Sequence, residues 1–254
     1  VVMCLIFVFF LFVFFCFFIL FFLLRIRRPP RSTLDRSSAA SDVYKRQEED
    51  NVELAQTVID RDKKVNKYDV KIDKICQKIF ALAQPVAMDL RYIMSSLTIN
   101  SNLERIGDIA VNIAENIVLI QKKPEFFHNT KLEEMFNLTK RMLKNSIDAF
   151  IGGNPELAKE VILTDDIVDK LNADNHQILK SIMKQNPDNI EGAVALLVIS
   201  RELERLADHS TNIAEDVFFI VEAQMIKHKY EKFIFGEEEN DNEEEKTGQN
   251  PSQE

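Results

Sequence analysis

Two runs of carboxylates at helical spacing are the residues in this chain best suited to chemistry. Glu104, Asp108, Asn112 and Glu115 recur at threes and fours, and Glu204, Asp208, Asn212 and Glu215 repeat them one hundred positions later. At 100° per residue each set falls within an arc of about 80° on one helix face. A second pair of stripes lies upstream of each: Asp62, Asn66, Asp69 and Asp73, then Asp165, Asp169, Asn172 and His176. Carboxylates four apart on a helix sit about 6 Å from one another and repel. A cation relieves that repulsion, and carboxylate oxygen suits hard or borderline metal ions. Glu104, Asp108, Asp69, Asp73, Glu204, Asp208, Asp165 and Asp169 are therefore the candidate ligands for divalent or iron-type metal ions. The plainer reading is a solvated acidic face, with Arg105 or Arg205 pairing locally. His176 is a candidate further ligand, but a lone histidine on a polar face is more often an ordinary surface residue.

The helices that must position these stripes come from a duplication. LERIGDIAVNIAE (103–115) returns as LERLADHSTNIAE (203–215), and ELAQTVIDRDKKV (53–65) returns as ELAKEVILTDDIV (156–168), an offset of 103. A repeat of this length implies two similar domains or one pseudo-symmetric one. The chain of 254 residues has only 6 Gly and 7 Pro, which favours helices throughout. Apolar periodicity predicts helices over about 51–83, 88–121, 125–150, 155–184 and 188–235. Gly152, Gly153, Asn154 and Pro155 form the clearest break, with Asn154 placed to cap the helix that follows. Ile106, Ile109, Ile113, Ile117 and Ile120 form the core stripe opposite the acids, as do Leu206, Ile213, Val217 and Ile220. The acids should thus point away from the core and make a surface cluster. Buried metal centres in helical bundles use Glu-x-x-His, which is absent here.

The expected fold is all-α, with two tandem three-helix bundles related by the internal repeat. Residues 48–123 form the first repeat and 124–235 the second; 236–254 is an acidic tail expected to be disordered. Val1–Leu24 is an uncharged apolar run long enough to span a bilayer. Arg27–Gln47 resembles translated adapter sequence, so residues 1–47 are read as non-native and the apparent membrane span as an artefact. They occupy the place of the first bundle's first helix, which is expected to be missing or replaced. A membrane-tethered protein is the reading if that run is real.

Composition narrows the partners. Residues 25–47 hold seven basic and two acidic side chains, which leaves 48–254 with a net charge of −14. Nucleic acid is a poor partner for such a surface. Cys4, Cys16 and Cys76 have neither metal-site spacing nor a disulfide pattern, which suits a reducing compartment. There is no phosphate-binding glycine loop, no Gly-x-Ser-x-Gly and no Cys/His pairing, so no enzyme is expected.

Glu104–Glu115 and Glu204–Glu215, with Asp62–Asn66 and the AQPVAMDLR run at 83–91, resemble the PhoU family over roughly residues 48–235. The resemblance implies a cytoplasmic, often dimeric helical protein that is not an enzyme. It would link the nucleotide-binding subunit of a phosphate ABC transporter to a sensor histidine kinase, and hold phosphate-starvation signalling off when phosphate is plentiful. It also implies metal at the Glu/Asp-x-x-x-Asp pairs, of which Asn172 and His176 replace the fourth. The rival is a metal-binding helical protein with storage or hydrolase activity.

Overall fold

A computed structural model describes residues 38–120 and 124–223, with side chains described at Val58 and from Asp62 onward. The apolar run, Cys4, Cys16, residues 224–235 of the expected last helix and the acidic tail lie outside the described residues. Among the described residues every regular element is helical. They are α1 (Ser38–Ala83), α2 (Ala87–Ile120), α3 (Leu132–Gly152), α4 (Pro155–Gln185) and α5 (Ile190–Glu222), with short 3-10 turns at Glu125–Asn129 and Pro187–Asn189.

The breaks have local causes. Gly153 adopts φ 58°, the left-handed conformation that ends α3 without a Cβ penalty. Asn154 then accepts hydrogen bonds from the Glu156 and Leu157 amides, with Pro155 at the first turn of α4. Asn186 closes α4 and accepts from Asp188 N at the next turn. Helix α5 stops at Glu222, with Ala223 left-handed at φ 57° and its amide bonded to Phe219 O. The expected continuous helix to 235 is thus interrupted at Ala223, and its remainder lies outside the described residues. The expected helix at 125–150 is in fact a 3-10 turn followed by α3.

Helices α1 and α2 come from the first repeat, and α3, α4 and α5 from the second. Helix α5 packs against α2, α3 and α4, while α1 packs on α2. The repeats join through α2 and α5, which run antiparallel: Thr98 donates to Asp216, Asn212 to Asn102, and Asn112 to Glu202. Under the offset of one hundred, the Asn102–Asn212 and Asn112–Glu202 pairs exchange places. A local pseudo-twofold axis therefore relates the two helices, midway at the level of 107 and 207.

One apolar core runs through this seam. Ile99, Leu103, Ile106, Ile109 and Ile113 of α2 share it with Leu203, Leu206, Ile213 and Val217 of α5, and Val65, Met135, Met142 and Leu179 extend it. Burying side chains of this size is worth about 1.5–3 kcal/mol each. That burial holds the acid stripes in register. Cys76 is fully buried and packs in the first repeat, where burial raises its thiol pKa.

Candidate functional site

The eight expected ligands fall on two ridges, one per repeat, each shared between neighbouring helices. In the second repeat Asp165 and Asp169 of α4 meet the field of Glu204 and Asp208 of α5. Asp165 is pushed from 3.8 to about 7, by burial first, then by the charges of Asp208 and Asp169. The neighbouring Thr211 hydroxyl opposes this by less, and its Oγ1 makes no well-formed hydrogen bond. Burial also raises Glu204, followed by Asp208 and Asp169, against Arg201 and Arg205. Asp208 is raised by burial and then Asp169, with Arg205 opposing. Asp169 is raised by burial and then Asp166.

The first ridge is built alike on α1 and α2. Glu104 is raised by burial, then by Asp108, Asp69 and Asp62, against Arg105. Asp69 is raised by burial and the charge of Asp73. Asn100 ties that pair together: its Nδ2 donates to Asp69 Oδ1 at 2.7 Å and to Asp73 Oδ1 at 3.2 Å. Asp62 joins through the charge of Asp108, which raises it after burial does, while Asn66 donates to it at 3.0 Å and opposes the rise. Gly107 makes room for this contact, since a Cβ there would stand 3.3 Å from Asp62 Oδ1 and Val65 Cγ1.

Asp62 was read as part of a polar stripe but not among the ligand pairs, and it is the residue that matters most beside them. Asp62 Oδ1 and Asp165 Oδ1 are both buried without a hydrogen-bond partner. They are the same position in the two repeats, at the offset of 103. A buried, unpaired carboxylate oxygen is costly, and its recurrence in both copies marks a place where a cation or a donor would be favourable. The all-oxygen donor set fits a hard cation. Among the described residues, however, no three His, Cys, Asp or Glu side chains converge closely enough to enclose one. The ridges fit a cation in donor chemistry and present an open surface rather than a closed shell.

Some stripe members turn elsewhere. Glu215 is buried at 6 % exposure, against the expectation that it points outward. Helix α5 is covered on three sides by α2, α3 and α4, so little of its circumference stays free. Its counterpart Glu115, on the less surrounded α2, is exposed. Asn112 and Asn212 serve the α2–α5 seam instead of the ridges. Asn172 accepts from the buried Ser200 at 2.8 Å, and His176 is exposed, so this fourth pair does not reproduce Asp69 and Asp73.

Sequence reasoning did not single out Asn175, fully buried among apolar neighbours. Its Oδ1 accepts from Lys131 N at 2.8 Å at the start of α3, and its Nδ2 donates to Ser200 Oγ at 3.4 Å. It also did not single out Glu202, which pairs with Arg205 at 3.1 Å. His209 sits half-buried in the same seam, 2.9 Å from Asn102 Oδ1. Burial and the nearby Arg105 and Arg205 lower its pKa.

The duplication is matched by a known family. The family described as PhoU domain matches residues 37–117 and 132–217, one span per repeat. The chain belongs to the PhoU family. The phosphate-specific transport system accessory protein PhoU homolog of Aquifex aeolicus is 38% identical over 182 residues, covering 72% of this chain and 82% of that one. The homolog from Zymomonas mobilis is 32% identical, over 66% of this chain and 71% of its own. PhoU from Pseudomonas aeruginosa superposes with a TM-score of 0.65 at 29% identity, covering 73% of this chain and 93% of that one. The first family span and α1 both take in residues 38–47, inside the stretch that sequence reading sets aside. No helix among the described residues is long and apolar enough to cross a membrane.

Proposed function

We propose that this chain is a regulatory adaptor of phosphate homeostasis. It works in the cytoplasm, as a homodimer, between the nucleotide-binding subunit of a phosphate ABC transporter and a sensor histidine kinase. There it keeps phosphate-starvation signalling off when phosphate is plentiful. Relatives named as phosphate-specific transport system accessory proteins support the transport setting. The observation that carries the reading is the pair of acid ridges, whose carboxylates are raised in the same sense by burial and mutual repulsion in both repeats.

A surface of this kind does physical work without catalysing a reaction. Each ridge stores unfavourable like-charge contact that a cationic partner relieves, so binding is favoured by charge complementarity and by satisfying orphaned oxygens. The packed seam keeps the ridges in fixed positions, so one partner can be held on each. Basic side chains of a protein partner meet this requirement. A metal ion meets it in donor chemistry: Asp165, Asp169, Glu204 and Asp208 on one ridge, and Glu104, Asp108, Asp69 and Asp73 on the other, would have to draw together from their open arrangement to hold one. Such an ion would neutralise the ridge and supply a bridging charge. The orphaned Asp62 and Asp165 oxygens favour this second element of the reading.

Co-purification from phosphate-replete cells tests the adaptor reading: the transporter's nucleotide-binding subunit or the kinase should accompany the tagged chain. Recovery of neither would overturn it. A storage or hydrolase protein would instead show metal-dependent turnover or metal loading far beyond the ridge ligands.

A further inference from the structure

Helix α1 carries a second face that the acid ridges leave unused. Lys63, Lys64, Lys67, Lys71, Lys74 and Lys78 are all exposed. At helical spacing they fall within an arc of about 100° and run about 22 Å along the axis. The acids Asp62, Asp69 and Asp73 lie about 150° away round the same helix, measured between the centres of the two faces. This basic face stands on a body whose net charge is strongly negative.

The duplication supplies an internal control. At the offset of 103 the lysine positions become Asp166, Ile167, Lys170, Asp174, Gln177 and Ser181 on α4. The second repeat keeps the helix and its acid ridge but not the basic face. The lysines therefore serve something the fold itself does not require.

Apolar side chains accompany the lysines. Val70 (50 % exposed) borders the lysine face, about 20° beyond Lys63, and Leu82 (73 %) lies at its end. Val86 (73 %) and Met88 (59 %) follow on the turn into α2. That turn holds Gln84 at φ 44° and Ala87 at φ 48°, left-handed conformations that disfavour residues with a Cβ. The equivalent turn after α4 is polar, built from Asn186, Pro187, Asp188 and Asn189.

The geometry points to this face of α1 as a docking surface for an anionic lipid bilayer. Lysines attract the headgroup layer, and their aliphatic stems cover apolar surface while the ammonium groups stay hydrated. Leu82, Val86 and Met88 supply the apolar contact that a bilayer takes up at the headgroup boundary. An acidic protein surface would answer the charges and leave those three uncovered.

The test is vesicle flotation of the full chain, with neutral phosphatidylcholine and with about 30% phosphatidylglycerol, at about 0.1 M salt. Any pull of the 1–24 apolar run acts on both vesicles, so the readout is the anionic-to-neutral ratio. The ratio should exceed about a hundred and collapse toward one at about 0.5 M salt. It should fall about a hundredfold in the Lys67→Ser, Lys71→Ser, Lys74→Ser variant, at roughly fivefold per lysine. These positions are exposed, so unchanged helicity by circular dichroism should accompany the loss. A second variant, Leu82→Ser with Val86→Ser, should lower anionic binding severalfold while leaving its salt sensitivity intact. No preference for anionic vesicles, or an unchanged ratio in the lysine variant, overturns the proposal. Capture of a polyglutamate peptide without vesicle preference overturns it in favour of an acidic protein. Each of these failures leaves the adaptor reading standing, because that reading rests on the opposite ridge and on co-purification.

Discussion

Asp165→Asn should make the protein more stable at neutral and alkaline pH. The carboxyl is raised from 3.8 to about 7 by burial and by Asp208 and Asp169. Three units at ~1.36 kcal/mol each would give ~4 kcal/mol. The side chain is only partly buried, and solvent screening brings the usable figure to about 2 kcal/mol. A raised acid is destabilising where it must ionise. Between pH 3.8 and about 7 the folded chain keeps a proton that the unfolded chain gives up, so stability falls as pH rises through that window. The cost is absent below it and complete above it. The variant should therefore match wild type near pH 4 and exceed it by about 2 kcal/mol near pH 8, or about 4–8 °C in Tm. Urea unfolding across that range, in the presence of a chelator so that no cation neutralises the ridge, measures the difference. A variant no more stable than wild type at pH 8, or an advantage that grows as pH falls, would refute the reasoning.

Three further outcomes follow from the packing. Asn175→Ala should cost about 1–3 kcal/mol in urea unfolding, because the Lys131 amide at the start of α3 and the Ser200 hydroxyl lose a buried partner. Ala87→Gly should raise stability by about 0.5–1 kcal/mol by relieving φ 48°; a lower Tm would contradict the strain argument. Glu104→Ala with Asp108→Ala should lower the divalent metal retained per chain, measured by elemental analysis after dialysis, with helicity unchanged. Metal content equal to wild type would remove the first ridge from the ion-holding reading.

The repeat carried most of what the sequence could show. It exposed both ridges, the helix pairs that bear them and the break at Gly153, Asn154 and Pro155, because caps and carboxylate spacing are local signals. Helical periodicity also placed Ile106, Ile109 and Ile113 in the core. The α2–α5 seam was not legible. Asn102, Asn112, Glu202 and His209 are polar residues whose partners lie 90 to 110 positions away, so nothing in their own neighbourhood announces the contact. Glu215 failed for a related reason: period alone gives a helix one wet face, whereas α5 is enclosed by three neighbours. Asn175 and Ser200 were missed because isolated buried amides and hydroxyls are indistinguishable by pattern from surface ones. Asp62 was visible on its stripe, but only coordinates show that its Oδ1 and that of Asp165 lie buried and unmatched.

The most direct measurement is affinity capture of the full chain from phosphate-replete cells, alongside a variant with Glu104, Asp108, Glu204 and Asp208 changed to Ala. The account predicts that the wild-type chain retains the phosphate transporter's nucleotide-binding subunit or the sensor kinase, and that the variant, folded and equally abundant, retains markedly less. Equal recovery by both chains, or recovery of neither partner by the wild type, would contradict it.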